Sequence, residues 1–125
     1  MSGIGEEDFE RVRELVERAL AQDPSMAHTA DDIRDGIHTG QFQLWAGVRS
    51  AVVTQILKVP RTQHLHFFLA AGHLDELEWM LKPILDWART KGCTYATLTG
   101  RRGWERSFLK DLNWRLTAIQ MGVQL

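Results

Sequence analysis

Apolar and polar positions change their period several times along the chain, and each change marks an element. Phe9, Val12, Leu15, Val16, Ala19 and Leu20 recur at helical spacing, with Glu6, Glu7, Arg11, Arg13, Glu14, Glu17 and Arg18 on the other side. Glu6, Glu7 and Asp8 favour the positive end of this helix, and Asp23-Pro24-Ser25 ends it. A short second helix is predicted after Thr29, a good N-cap. Asp31 and Asp32 fall in its first turn, Ile33 and Ile37 face inward, and Gly40 stops it.

The period then falls to two. Phe42, Leu44 and Ala46 alternate with Gln41, Gln43 and Trp45, which predicts a strand. Gly47-Val48-Arg49-Ser50 reads as a tight turn and Ala51 to Val59 as a central strand, apolar on both faces. Pro60 to Gln63 is a second turn and Leu65 to Ala71 a third strand, completing an antiparallel meander. Gly72 opens a long helix with Leu74, Leu77, Leu81, Ile84, Leu85 and Ala88 as its buried stripe. Pro83 removes one backbone bond and is expected to kink that helix one turn earlier.

Thr94 to Thr99 then reads as a strand, Gly100-Arg101-Arg102-Gly103 as a loop, Trp104 to Leu112 as a fourth helix and Arg115 to Val123 as a last strand. The order α-α-β-β-β-α-β-α-β predicts an α/β fold, with one mixed sheet covered by helices and a right-handed crossover through the long helix. One domain is expected over residues 1–125, with 1–8 flexible.

Composition narrows the function classes. With 44% hydrophobic and 25% charged residues among 125, the chain is no disordered tail, collagen-like fibre or disulfide-stapled mini-protein. A formal net charge of -1 gives no footprint for nucleic acid. Cys93 stands alone, so no intrachain disulfide or Cys-based zinc motif is available, which suits a reducing cytoplasm. Met1 to Asp8 lacks the basic and apolar regions of a secretory leader. Apolar runs such as Phe67–Ala71 fall far short of the roughly 20 residues that span a bilayer, so no membrane partner is expected.

Three segments carry a family resemblance. Thr29 to Gly40 followed by Gln43-Leu44-Trp45 looks like a helix-then-strand entry, and Trp87-Ala88-Arg89 leading to Gly92-Cys93 looks like the end of a central helix. Gly100-Arg101-Arg102-Gly103-Trp104-Glu105-Arg106 with Leu109 to Trp114 looks like a C-terminal signature. In this order they resemble the GNAT fold of the GCN5-related N-acetyltransferases without its usual first strand, and most of all the small, divergent GNAT-like proteins of tailed phages and prophages. The resemblance implies an acetyl-CoA site, with the pyrophosphate held by a Gln/Arg-x-x-Gly-x-Gly/Ala turn at the start of the central helix.

The chain departs from that pattern twice. The matching stretch, Ala70-Ala71-Gly72-His73-Leu74-Asp75-Glu76-Leu77, has one glycine, and its two acids would repel a pyrophosphate. The family's tyrosine general acid falls at Leu109, which has no proton to give, and Tyr95, the only tyrosine, belongs to the preceding strand.

The remaining candidates are weighed on their chemistry. Arg101 and Arg102, flanked by Gly100 and Gly103 at a helix start, could hold a phosphate or carboxylate through forked hydrogen bonds, with Gly72 as the vestige of the family's turn; a solvated loop is the plainer reading. Trp45, Trp79, Trp87, Trp104 and Trp114 exceed what a core needs, so Trp79, Trp87 and Trp104 are candidate protein-interface anchors. Glu105 is a weak candidate base, and like Asp111 it reads more simply as part of a charged face. Ser107 has no His or Asp at triad spacing. His64 and His66 share a strand face, but strand direction carries His73 away, so they read as an exposed strand start and no metal site is expected.

Two functions of different class follow. One is a catalytically degenerate GNAT-like module, phage-encoded, acting as a structural, assembly or accessory protein on another protein or on itself. The other is an acyl-CoA-dependent N-acetyltransferase with an atypical phosphate loop at Gly100–Gly103. A toxin- or antitoxin-like role is a third, which no residue supports. The first two differ in whether the strands before and after the long helix splay beside an open basic cleft or a filled one.

Overall fold

The computed structural model describes residues 3–100 and 102–125, with the backbone alone at Arg102 and Glu105. Helices α1 (Phe9–Leu20) and α2 (Ala30–Thr39) precede strands β1 (Gln43–Ala46), β2 (Ala51–Val59) and β3 (Thr62–Ala71). Helix α3 (Leu74–Thr90), strand β4 (Tyr95–Leu98) and the single-turn helix α4 (Phe108–Asp111) follow. The sheet order is β1-β2-β3-β4, with the first two pairings antiparallel and β3–β4 parallel. The α/β class and the crossover through the long helix agree with the hydrophobic pattern.

Each layer follows from its side chains. Phe9, Val12 and Val16 of α1 and Ile33 and Ile37 of α2 close on Phe42, Leu44, Ala51, Val53 and Leu69, forming a core on one face of the sheet. Leu77, Leu81, Ile84 and Ala88 of α3 close on Val52, Leu65 and Phe67 on the other. Thr29 caps α2 with a reciprocal pair: its hydroxyl accepts from the Asp32 N–H at 3.2 Å while the Asp32 carboxylate accepts from the Thr29 N–H at 2.9 Å. Gly40, at φ 87°, ends the helix in the left-handed region. Arg13 ties the two helices together through Asp31 and also reaches Glu10 and Glu17. The α3 helix is continuous through Pro83.

Three expectations are revised. The strand expected over Arg115–Val123 is not formed: residues 115–125 are exposed and carry no sheet pairing. Its alternation of side chains has no neighbouring strand to act on, and backbone pairing rather than pattern makes a strand. The fourth helix is broken into a 3-10 turn at Arg102–Arg106 and one α turn, because Ser107 turns out of the helix to cap the second piece. β3 begins at Thr62, so His64 and His66 lie within it and are half-buried instead of opening it. Within residues 3–8 the Ile4 carbonyl accepts from the Leu44 N–H at 3.0 Å, and the Gly3 N–H donates to Glu6 at 3.2 Å.

Candidate functional site

The site begins with a fault in a ladder. β2 and β3 pair in step until the register shifts between Val53 and Thr54, leaving Phe68 without an opposite number. This bulge bends β3 and turns two successive residues to one side. Phe68 and Leu69 both join the α1 side, while Phe67 and Ala70 join the α3 side. Phe68 packs on Phe42 at 5.1 Å and on His28 at 4.9 Å between ring centroids. The pairing with β4 stops just before the bulge, at Phe67 and Leu98. β3 then continues to Ala71 paired with β2 but no longer with β4, and a gap opens between β3 and the chain after Leu98.

On the α3 side that gap is filled. Trp104, Phe108, Leu109 and Trp114 close it against Phe67, Leu98 and the inner face of α3, leaving a cavity of about 20 Å3. Trp114 meets the Phe67 ring edge-on at 5.9 Å, and Leu109 is buried at the centre. The space holds about one water.

The start of α3, where an anion would sit, is also occupied by the chain. Gly72 lies at φ 123°, and a Cβ there would stand 2.4 Å from the Arg49 carbonyl and 2.5 Å from Ser50 Oγ. Its lack of a side chain thus lets it cross the β1–β2 turn closely. Buried Ser50 accepts a hydrogen bond from the His73 N–H at 3.0 Å. The Glu76 carboxylate accepts from the N–H groups of Val48 at 2.8 Å and Arg49 at 2.9 Å. The Ser50 hydroxyl, the Arg49 N–H and the Val48 N–H hold that carboxyl below its ordinary range, so it is a firm negative charge. Asp75 adds an exposed second one in the same turn.

The opposite mouth of the gap is open and holds a group that sequence reading placed differently. His66 Nδ1 lies 2.8 Å from the Thr97 hydroxyl and Nε2 3.3 Å from that of Thr99. Burial pushes its pKa down, favouring neutral imidazole. The sequence carries no signal of this by itself, because the partnership with two threonines depends on the parallel register of β3 and β4. His64 instead faces Tyr95, with ring centroids 5.2 Å apart, and His73 uses its backbone on Ser50. Among the described residues no three His, Cys, Asp or Glu come together as metal ligands. No helix among them is long and apolar enough to cross a membrane.

The other candidates separate. Gly100 lies tight against Trp104, where a Cβ would be 2.7 Å from the ring, and Gly103 is open to solvent. Arg101 lies outside the described residues, as do the side chains of Arg102 and Glu105. The Ser107 hydroxyl donates to the Trp104 carbonyl and accepts from the Leu109 N–H, a structural use. Trp87 packs edge-on against Trp45 at 5.3 Å, and Trp104 meets Phe108 at 6.5 Å. Trp79, on the outer face of α3, is 84% exposed. Cys93 is buried, which raises its thiol pKa.

No family model matches the sequence, and no curated protein matches it significantly. Solved structures do. A possible acetyltransferase from Clostridium difficile 630 superposes with TM-score 0.66 at 7% identity, covering 96% of this chain and 92% of the other. A Trypanosoma brucei acetyltransferase gives TM-score 0.66 at 15% identity, over 96% and 94% of the two chains. A wild-type protein of Thermus thermophilus gives 0.63 at 17% identity, over 96% and 92%. At these identities the likeness concerns the backbone: a mixed α/β fold with a four-stranded mixed sheet, the GNAT-like fold of acetyltransferase-like structures.

Proposed function

We propose that this chain is a GNAT-fold protein with a closed acyl-CoA groove. It acts as an accessory or assembly protein of the phage-encoded kind it resembles, binding another protein instead of transferring an acyl group. The observation that carries this reading is the packing of Trp104, Phe108, Leu109 and Trp114 into the gap between β3 and β4. Ligand pockets run to about 300–1,000 Å3, whereas about 20 Å3 remains here. The carboxylates of Asp75 and Glu76 and the apolar Leu109 point the same way. Trp79 is the side chain best suited to anchor a partner, being large, amphipathic and in solvent.

A second reading, an acyl-CoA-dependent N-acetyltransferase with its anion loop at Gly100–Gly103, is favoured by one observation. His66, whose pKa burial lowers, lies beside the gap with its ring nitrogens near the Thr97 and Thr99 hydroxyls, where an amine substrate could lose a proton to it.

Calorimetry with acetyl-CoA separates the two, run on the wild type and on the Arg101→Ala/Arg102→Ala double variant. No heat and no thermal stabilisation at millimolar ligand is the expected result. Micromolar binding that disappears in the double variant would instead establish the transferase. His66→Ala should then lower turnover by about 10²–10⁴-fold.

A further inference from the structure

We infer that the chain forms a two-fold symmetric dimer through the outer face of α3, with the two helices antiparallel and Trp79 at the centre. This rests on the reading of Trp79 as an anchor for a protein partner, and it identifies that partner as a second copy. The stripe of Leu77, Leu81, Ile84 and Ala88 holds α3 on the sheet. At about 100° per residue, the opposite direction falls on Asp75, Trp79, Lys82, Pro83 and Asp86. Trp79 lies at the middle of that outward row, and Asp75, Lys82 and Pro83 around it are exposed as well.

Charge along this face says what would cover it. The helix before Trp79 carries Asp75, Glu76 and Glu78 and no base. Glu76 is held by the β1–β2 turn, whereas Asp75 and Glu78 have no ion-pair partner among the described residues. The helix after Trp79 carries Lys82 and Arg89 against one acid, Asp86, which bonds both of them at 2.7 Å. Asp86 keeps Arg89 when Lys82 turns outward, so Lys82 is a cation to spare. A face that is acidic in one half and basic in the other complements its own reverse.

Reversal about Trp79 sets position 83 of one copy level with 75 of the other, and 82 level with 76. At a rise of about 1.5 Å per residue, Lys82 then lies about 1.5 Å along the axis from Asp75 of the second copy and about 3 Å from its Glu78. Helical side chains lean toward their N-terminus, so each indole tilts over Pro83 of the other copy. Pro83 has no long side chain and the helix continues through it, which leaves a shallow seat for the ring. A central aromatic rimmed by charged pairs is where binding energy concentrates. A foreign acidic or basic segment would satisfy half of the face. A second copy satisfies both halves, and the isologous contact closes at two. One helix per copy makes a small interface, so the association is weak and depends on concentration.

The test is sedimentation velocity on the full chain from about 10 µM to about 1 mM. Circular dichroism confirms that each variant keeps its fold, since every substituted side chain is exposed. The wild type should pass from monomer to dimer across that range. Trp79→Ala should weaken association by at least about 30-fold. Asp75→Lys should weaken it by about 3–10-fold, and Asp75→Lys/Lys82→Glu should recover most of that loss by exchanging the charges. A wild type that is monomeric at about 1 mM, a Trp79→Ala protein that dimerises like the wild type, or a charge exchange that recovers nothing would each overturn the dimer. Calorimetry with acetyl-CoA reads the groove separately. A monomeric wild type that also ignores acetyl-CoA overturns this inference and leaves the closed groove standing.

Discussion

Glu76 shows how one residue takes a place that a ligand would need. Its carboxylate joins the first turn of α3 to the β1–β2 turn through the Val48 and Arg49 N–H groups. Ionisation is favoured in the folded chain, so the pKa lies below the usual value near 4.5. The associated stability is present above that value and is lost as pH falls through the lower, folded pKa. Glu76→Gln should therefore melt below the wild type at neutral pH. The gap should narrow below about pH 4.5 as the wild-type carboxyl takes up its proton, which thermal denaturation across pH will check. Sequence reading identified Glu76 as a charge hostile to phosphate but missed its partner, because Val48 and Arg49 lie 28 and 27 residues away. His66 was missed for the same reason: its threonines belong to β4 and the residue after it, reached only through the crossover.

At the scale of elements, local signals were dependable wherever the chain satisfies its own backbone. The α2 helix was legible at both ends, since its cap and its terminal glycine lie beside it in sequence. Thr29→Ala removes the capping hydroxyl and should cost about 1 kcal/mol, measured by chemical denaturation. Helices α1 and α3 were legible from their stripes, because burial of one face is what holds them. Helix α3 runs from Leu74 to Thr90 with Pro83 inside it, as the apolar stripe on both sides of the proline implies. The bulge at Phe68 left no mark that a pattern reader would catch, as both strands simply look apolar. The last strand failed in the opposite way: the pattern is there and the neighbour is absent.

For the whole molecule, fold and function diverge in how much of them could be read. The order of elements points to the acetyltransferase architecture, which shared backbone geometry with solved structures supports over nearly the entire chain. The state of the groove was not legible, because four side chains from the C-terminal region must swing onto β3 and α3 to fill it.

The carbonyl of Ile4, bonded to the Leu44 N–H, has a bearing on how large any assembly can grow. A ribbon of sheets lengthens only if each unit is receptive at both flanks. Here the N-terminal segment lies along the outer side of β1 and makes that flank unreceptive. The β1 edge is thereby closed at Leu44 to a strand from another molecule.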